Sequence, residues 1–206
     1  MAQQTLIGED YGLLSGEGDR EQAPGWMQNV TARPNFYATL LHRQLCGSTV
    51  LSSQTNAIAE EITASKTDKA SDGSIANESR VSAHSFCTAD SAGMPAGAVT
   101  VVLINFATDA VAVDMGASGF SGDLNVFGLY GLPAASARTS TPSDPALLAL
   151  ITSRRTYLNG APDPLTIDSV LAPSVIPGHG KSGTVQMPAL GVAYIVVPHA
   201  NAPACI

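Results

Sequence analysis

The sequence predicts a mainly β protein, an antiparallel β-sandwich preceded by one strand–helix unit. Charged residues make up only 13% of the 206-residue chain, which also holds 19 glycines and 13 prolines. This composition is typical of a turn-rich β protein rather than a helical bundle. Short runs rich in Val and Ile recur between clusters of turn residues, as they do in antiparallel sandwiches. A single convincing helix lies near the start of the chain.

The first part of the chain holds the strand–helix unit. A short apolar element at Thr5–Ile7 is followed by a predicted loop over residues 15–34. The helix is predicted to begin with Asn35 as its N-cap and to stop at Gly47. Its apolar stripe has four-residue spacing and consists of Tyr37, Leu41 and Leu45, with Phe36 and Leu40 beside it. Such a unit cannot bury both of its faces alone, so it indicates the last strand and helix of a larger α/β body.

After Gly47 the predicted elements are strands, separated by turns. Residues 53–79 are polar and poor in aromatic residues, which predicts a mobile loop. The last strand is a near-continuous apolar run closed by Pro198, which is typical of a buried strand. The predicted strands are, in order, 49–51, 80–87, 98–106, 110–114, 124–129, 155–158 and 191–197.

Two of the three cysteines are candidates for a disulfide. Cys205 is the penultimate residue, and Cys87 ends a predicted strand. A bond between them would tie the last strand to the body of the domain and close most of it into one loop. In the chain-entropy model such a bond contributes about 4–5 kcal/mol. The pattern alone leaves the alternative open, namely two buried free thiols.

Charge and motifs exclude several classes of function. A formal net charge of −7 argues against a nucleic-acid surface, which needs clustered Lys and Arg. No apolar run reaches the roughly 18–20 residues of a membrane span. The first residues lack the basic and apolar regions of a secretory signal. Sequons at Asn29 and Asn77 would matter only on the secretory route. The four histidines lie far apart, so we predict no metal site, and no cofactor motif is found.

A series of short motifs runs along almost the whole chain. They are Gln4–Gly8, Tyr11–Leu14, Pro34–Tyr37, Leu45–Leu51, His84–Thr88, Val101–Asn105, Leu158–Gly160 and Asn201–Cys205. In order and spacing they resemble the C-terminal half of heparanase-like proteins, glycoside hydrolase family 79. Three insertions, at roughly 15–33, 54–79 and 134–154, lie outside the resemblance.

The resemblance implies an architecture for each part of the chain. Residues 1–47 would be the final strand and helix of a (β/α)8 barrel, and residues 48–206 the C-terminal β-sandwich. Cys87 and Cys205 fall on the paired cysteines of the family, which implies their disulfide. Cys46 would then be unpaired and would have a small, buried apolar role.

The resemblance also implies an activity, the hydrolysis of β-linked glucuronic acid by a retaining mechanism. This chemistry needs two carboxyl groups roughly 5–5.5 Å apart. In the family both lie on barrel strands upstream of the matched part, so we predict no catalytic residue in this chain. The polypeptide alone is expected to be inactive, as the product of an incomplete gene model.

One substrate contact is predicted, at residues 8–11, because the C-terminal ends of barrel strands line the active site. Tyr11 matches a sugar-contacting tyrosine of the family, and Gly8 matches a glycine of its plant-type members. Glu9 and Asp10 replace the usual Gly-Asn, and their charges would repel an anionic uronate. By their position in this matched segment, the predicted substrate-binding residues are Gly8, Asp10 and Tyr11. The alternative is that Tyr11 only packs against the barrel rim.

Location and partners follow from the resemblance. It implies a secreted, lysosomal or vacuolar protein, membrane-associated in some members, that acts on a β-glucuronide-containing glycan or glycoside. A disulfide also needs an oxidising compartment. Two alternatives stay open. One is a non-catalytic sandwich that binds carbohydrate or another partner. The other is a decayed duplicate, whose helix stripe would lack its barrel partner. The oligomeric state is not predicted.

Overall fold

The computed structural model describes residues 13–16, 30–53, 81–107, 110–116, 120, 122–131, 153, 155–178 and 183–206. One helix and eleven strands occur in this part of the chain. In order they are β1 (Leu14–Gly16), β2 (Val30–Ala32), α1 (Pro34–Leu45), β3 (Cys46–Leu51), β4 (Val81–Thr88), β5 (Val99–Asn105), β6 (Val111–Asp114), β7 (Asp123–Tyr130), β8 (Tyr157–Leu158), β9 (Ser174–Pro177), β10 (Thr184–Met187) and β11 (Val192–Val197). Single 3-10 turns lie at Asp90–Ala92 and Pro203–Cys205.

A seven-stranded antiparallel sheet forms the body of the domain. Its strand order is β3-β4-β5-β11-β7-β8, and β9 pairs with β7 beside β8. Strand β7 pairs with β8 through Leu129 and Tyr130 and with β9 through Asp123–Val126. Two antiparallel pairs, β6–β10 and β1–β2, lie outside this sheet. The predicted fold class, mainly β and antiparallel, is confirmed.

Strand β11 lies between β5 and β7 and is buried on both faces. Successive side chains of a strand point to opposite faces. Tyr194 and Val196 accordingly join the apolar cluster that includes α1, whereas Ala193, Ile195 and Val197 join the cluster that includes β6 and β10. The prediction of a buried strand at 191–197 is confirmed.

Helix α1 covers one face of the large sheet. The predicted stripe is buried, with 1%, 0% and 6% of Tyr37, Leu41 and Leu45 exposed. These side chains share a cluster with residues of the sheet, among them Leu129 and Val196. In the decayed-duplicate alternative this stripe would lack its barrel partner, whereas in the structure the sheet of the same chain covers it.

The pair β6–β10 covers the opposite face of the sheet. Val185 and Met187 of β10 are buried, and Val111 and Val113 of β6 are partly buried against the same cluster. In β10 buried and less buried residues alternate, so its buried side points towards the sheet. The result is a layered domain with the large sheet between α1 and the small pair.

Both predicted ends of the helix are wrong in detail. The N-cap is Arg33, with Pro34 at the first helical position, so Asn35 lies inside the helix. The helix ends at Leu45 and continues at Cys46, with φ −95°, directly into β3. Gly47 is therefore a strand residue rather than a left-handed stop. A Cβ atom at Gly47 would lie 2.8 Å from the Cys87 carbonyl oxygen, so glycine is needed for the close approach of β4.

The C-terminal end of α1 is capped by the sheet and the turn that follows β4. The Leu45 carbonyl accepts hydrogen bonds from Thr100 Oγ1 at 2.8 Å and from the Ala89 amide at 3.0 Å. Ser91 Oγ donates to the Gln44 carbonyl at 3.1 Å. Thr100 is fully buried. These bonds satisfy carbonyls that every helix end leaves open, and they fix the helix to β5.

Some short strands were not predicted. Strand β2 and most of β1 lie inside the predicted loop at 15–34, and β9 lies where no strand was predicted. The first two have only three residues each, and an element this short leaves no periodicity to recognise. The predicted apolar element at 5–7 lies outside the described residues.

Replacing Thr100 by valine tests the cap of α1. Thr100→Val keeps the side-chain shape but removes the donor to Leu45, and we expect a loss of about 1–2 kcal/mol in the free energy of unfolding. Urea denaturation measures it. Thr39 lies on the exposed side of α1, where its hydroxyl bonds to the Asn35 carbonyl. The control Thr39→Val should therefore change stability by less than about 0.5 kcal/mol. Equal losses in the two variants would contradict a specific role for Thr100.

Candidate functional site

The residues predicted to contact sugar are not in the described part of the chain. Gly8, Asp10 and Tyr11 lie outside it, as do the sequons at Asn29 and Asn77. Their assignments stay predictions, and so does the domain boundary between residues 47 and 48. The described residues next to this site are Leu13 and β1, which begins three positions after Tyr11.

The chain that follows the predicted sugar contact is tied to α1. The Arg33 amide, at the helix N-cap, donates to the Leu13 carbonyl at 2.9 Å. Leu14 pairs with Ala32 in the β1–β2 ladder. Ala32 is 2% exposed and packs in the cluster under α1. A continuous set of contacts therefore runs from the sheet through α1 to Leu13.

A second bond fixes the middle of α1 to the central strand. The Tyr194 hydroxyl on β11 donates to the Ala38 carbonyl at 2.8 Å. Burial, and after it the nearby Cys46, raises the pKa of Tyr194 to about 12. The hydroxyl therefore stays protonated and remains a donor throughout the physiological pH range.

The described carboxylates do not form an acid/base pair of the kind glycosidases use. A glycosidase acid needs a raised pKa, which burial supplies. All six glutamates lie outside the described residues. All aspartates of the described part are exposed, namely Asp90, Asp114, Asp123, Asp163 and Asp168. Within this part of the chain no carboxyl group is thus buried enough to act as the proton donor.

Among the described residues, no group of three or more His, Cys, Asp and Glu side chains could hold a metal ion. In the same ranges, none of the helices combines the length and the apolar character that crossing a bilayer requires.

The C-terminal tail is fastened to the sheet by the predicted disulfide. Cys87 on β4 and Cys205 are bonded, with their Cα atoms 5.2 Å apart. The Gly97 amide donates to the Cys205 carbonyl at 2.8 Å, and the Ala202 amide donates to the Gly97 carbonyl at 3.0 Å. Gly97 has φ +83°, and a Cβ there would lie 3.2 Å from Asn201 Cα. Only glycine suits this left-handed position under the tail.

Cys46 is the free cysteine, as predicted. It is half-buried and packs against the cluster beneath α1. Burial raises the pKa of its thiol to about 11. Since the thiolate is the reactive form, this cysteine is a poor nucleophile at neutral pH and fits an apolar packing role.

A shallow groove of about 560 Å³ lies in the loop between β8 and β9. Asn159 builds it. Its backbone N–H donates to the Gly128 carbonyl at 2.8 Å, and its side-chain Oδ1 accepts from the Gly128 backbone N–H at 2.7 Å. Its Nδ2 donates to the Ala172 carbonyl at 3.1 Å. This groove was not predicted, although the Asn-Gly dipeptide is a turn signal that could have indicated the turn at its edge.

The lining of the groove gives little basis for sugar binding. Its polar side chains include Asn159, Asp163 and Ser169, and the rest is mostly aliphatic or proline. No aromatic side chain of the described residues lines it. A flat aromatic face with a polar handle nearby is the feature that suits an amphipathic ligand, and it is missing at this position.

Comparison with known proteins gives structural neighbours only, since no family model and no curated protein matches the sequence. The wild-type protein BuGH86 in complex with neoagarooctaose is 10% identical over 95% of this chain and 22% of that chain, with a TM-score of 0.45. A GH30 endoxylanase from Clostridium papyrosolvens C71 is 12% identical over 60% of this chain and 21% of that chain, with a TM-score of 0.29. CelM2, a bifunctional glucanase-xylanase from a metagenome library, is 17% identical over 58% of this chain and 16% of that chain, with a TM-score of 0.26.

These neighbours are far longer than the chain, which spans about a fifth of the first of them. The chain is therefore similar, at low sequence identity, to parts of glycoside hydrolase structures.

Removal of the disulfide should strongly destabilise the domain. The bond spans a sequence separation of 118 residues. For a loop of this size we expect the double variant Cys87→Ala/Cys205→Ala to lose about 4–5 kcal/mol in the free energy of unfolding. Denaturant titration measures the loss. The control Cys46→Ala, which leaves the bond intact, should lose no more than about 2 kcal/mol. A double variant no less stable than this control would contradict the proposed stabilisation of the domain by the Cys87–Cys205 bond.

Alkylation of Cys46 should depend steeply on pH. With a pKa of about 11 for its thiol, only about one thiol in ten thousand is ionised at pH 7. We expect the rate of iodoacetamide labelling to rise about tenfold for each pH unit up to pH 10, because thiolate is the species that reacts. Peptide mass spectrometry measures it. A plateau already above pH 9 would show that burial does not raise this pKa.

Proposed function

We propose that this chain is the C-terminal portion of a heparanase-like retaining glycoside hydrolase of family 79, which hydrolyses O-glycosyl bonds of β-glucuronides. The observation that carries the proposal is the Cys87–Cys205 bond. Three cysteines allow three pairings, and the resemblance implies only this one, which is the pairing found. Support also comes from the order of the short motifs along the chain and from the antiparallel fold that they imply.

In this proposal the chemistry belongs to two carboxyl groups outside the chain. One protonates the leaving oxygen and the other forms the glycosyl intermediate, at the roughly 5–5.5 Å separation of a retaining enzyme. The chain contributes positioning. Tyr11 would contact the sugar and Gly8 would leave room for it. The negative charge of Asp10 would disfavour a uronate carboxylate on its own side, so the carboxylate would point away from Asp10.

The contacts of α1 give this positioning a physical basis. In the proposed architecture residues 1–47 are the final strand and helix of the barrel, and residues 48–206 are the sandwich. Thr100 holds the C-terminal end of α1, and Tyr194 holds its middle. Arg33 then ties the helix N-terminus to Leu13, two positions after Tyr11. The sandwich would thereby fix the orientation of the substrate-contacting segment.

The proposal extends to location. A disulfide that closes most of the domain is stable only in an oxidising compartment. It therefore supports a secreted, lysosomal or vacuolar protein, with glycans on Asn29 and Asn77. Peripheral membrane association, as in some members of the family, belongs to the same proposal.

A second candidate is a non-catalytic β-sandwich that binds a glycan or a partner protein. The observation that favours it is the burial of the sheet. Both faces of β11 are covered by elements of the same chain, so the described core is closed without a barrel. In this case the chain would act by binding alone. Binding to immobilised glycans that is lost in Tyr11→Ala would support this second function.

An activity measurement tests the proposal. We expect the purified chain, with its disulfide intact, to show no turnover of an aryl β-glucuronide above the buffer blank, because the described carboxylates are all exposed. Turnover by the chain alone would contradict the assignment of the catalytic groups to another part of the protein. The transcript upstream of Met1 gives the complementary test. An open reading frame that encodes a barrel is expected, and stop codons without such sequence would contradict the proposal.

A further inference from the structure

Asn159 carries a chemical feature that the proposed function does not use. Asn159-Gly160 is the single Asn-Gly dipeptide in the sequence. Both residues have left-handed backbones, with φ 52° and 73°. They form the turn that follows β8 and leads into the groove loop.

The side-chain amide of Asn159 is held at both ends. Oδ1 accepts from the Gly128 amide on β7 at 2.7 Å, in a part-buried bond. Nδ2 donates to the Ala172 carbonyl at 3.1 Å, in a more exposed bond. The amide therefore joins Gly128 on β7 to Ala172 on the far side of the groove loop, two residues before β9 begins.

An asparagine followed by glycine is prone to deamidation. The backbone nitrogen of Gly160 attacks Cγ of Asn159, a C–N bond forms, and the side-chain nitrogen leaves as ammonia with the proton that the backbone nitrogen gave up. Water then opens the resulting succinimide to aspartate or isoaspartate, so no oxidant or cofactor is consumed. Glycine favours the attack because it has no Cβ to hinder it.

We propose that Asn159 is a deamidation site that the folded domain protects, and that its conversion loosens the groove loop. For the ring to close, Cγ must turn towards the Gly160 nitrogen, and this rotation breaks the bonds to Gly128 and Ala172. Deamidation must then await local opening of the loop.

The product cannot restore the same contacts. An aspartate at position 159 still accepts from the Gly128 amide, but it has no hydrogen to donate and presents a carboxylate to the Ala172 carbonyl. An isoaspartate lengthens the backbone by one methylene and displaces the turn as well. Either product places a new negative charge in a groove that Asp163 already lines.

The other described asparagines do not combine a following glycine with a side-chain amide that is bonded at both ends. Asn201 is the closest comparison, since it is exposed and has a φ of 51°. It precedes Ala202, whose Cβ hinders the attack, and its Nδ2 bond to the His199 carbonyl is local, at 3.2 Å. It provides an internal control in the same molecule.

The test follows deamidation in the purified chain at mildly alkaline pH, with and without concentrated guanidinium chloride. Peptide mapping reads the mass increase and the isoaspartate at each asparagine. We expect conversion at Asn159 to be roughly ten- to hundredfold slower in the folded protein than in the unfolded protein. Asn201 should remain unconverted in both over the same period. Equal rates at Asn159 in the two states would overturn the proposed protection.

Two variants complete the test. In guanidinium chloride, Gly160→Ala should slow conversion at Asn159, and an unchanged rate would overturn the cyclisation route. In the folded state, Asn159→Asp should lower the melting temperature by roughly 2–5 °C, whereas Asn201→Asp should leave it unchanged. Equal melting temperatures for Asn159→Asp and the unaltered chain would overturn the proposal that conversion of Asn159 loosens the groove loop. The comparison of deamidation rates in the folded and unfolded chain needs no variant. It therefore tests whether folding protects Asn159 from deamidation even if Asn159→Asp fails to fold.

Discussion

Burial of strand β11 on both faces is the constraint on which the rest of the domain depends. From Ala193 to Val197 no side chain is more than 4% exposed. A strand of this kind is stable only if each face of its sheet is covered. Helix α1 supplies one cover and the β6–β10 pair supplies the other. Neither cover could stand alone, because an isolated pair of strands and a short isolated helix are both marginal in water.

The C-terminal end of α1 and the C-terminal tail converge on one part of the sheet, around the turn between β4 and β5. The C-terminal end of α1 is held there by Ala89 and Thr100. The C-terminal tail is held by Cys87 and Gly97, on the two sides of the same turn. This convergence explains why segments so far apart in sequence belong to one packed unit. In the proposed hydrolase it would also hold the substrate-contacting segment, through α1 and Leu13.

The elements that the sequence predicted well are those with a strong local pattern. The stripe of α1 and the apolar run of β11 were both recognisable from spacing alone, and the disulfide followed from family resemblance. The errors have non-local causes. Gly47 does not stop the helix, because the group that caps its C-terminal end, Thr100, comes from 55 positions away. Asn159 was seen only as part of a motif, since its partner Gly128 lies 31 positions earlier. Such contacts leave no periodic trace in a sequence.

The shared core and the capping bonds imply that α1 and the large sheet form a single cooperative unit rather than a helix loosely attached to a sandwich. Native-state hydrogen exchange in increasing denaturant tests it most directly, by comparing the amides of Leu41 in α1 and Ile195 in β11. We expect both amides to exchange through the same global opening, with equal free energies and equal dependence on denaturant. Exchange of Leu41 through a separate opening of lower free energy, while Ile195 stays protected, would contradict it.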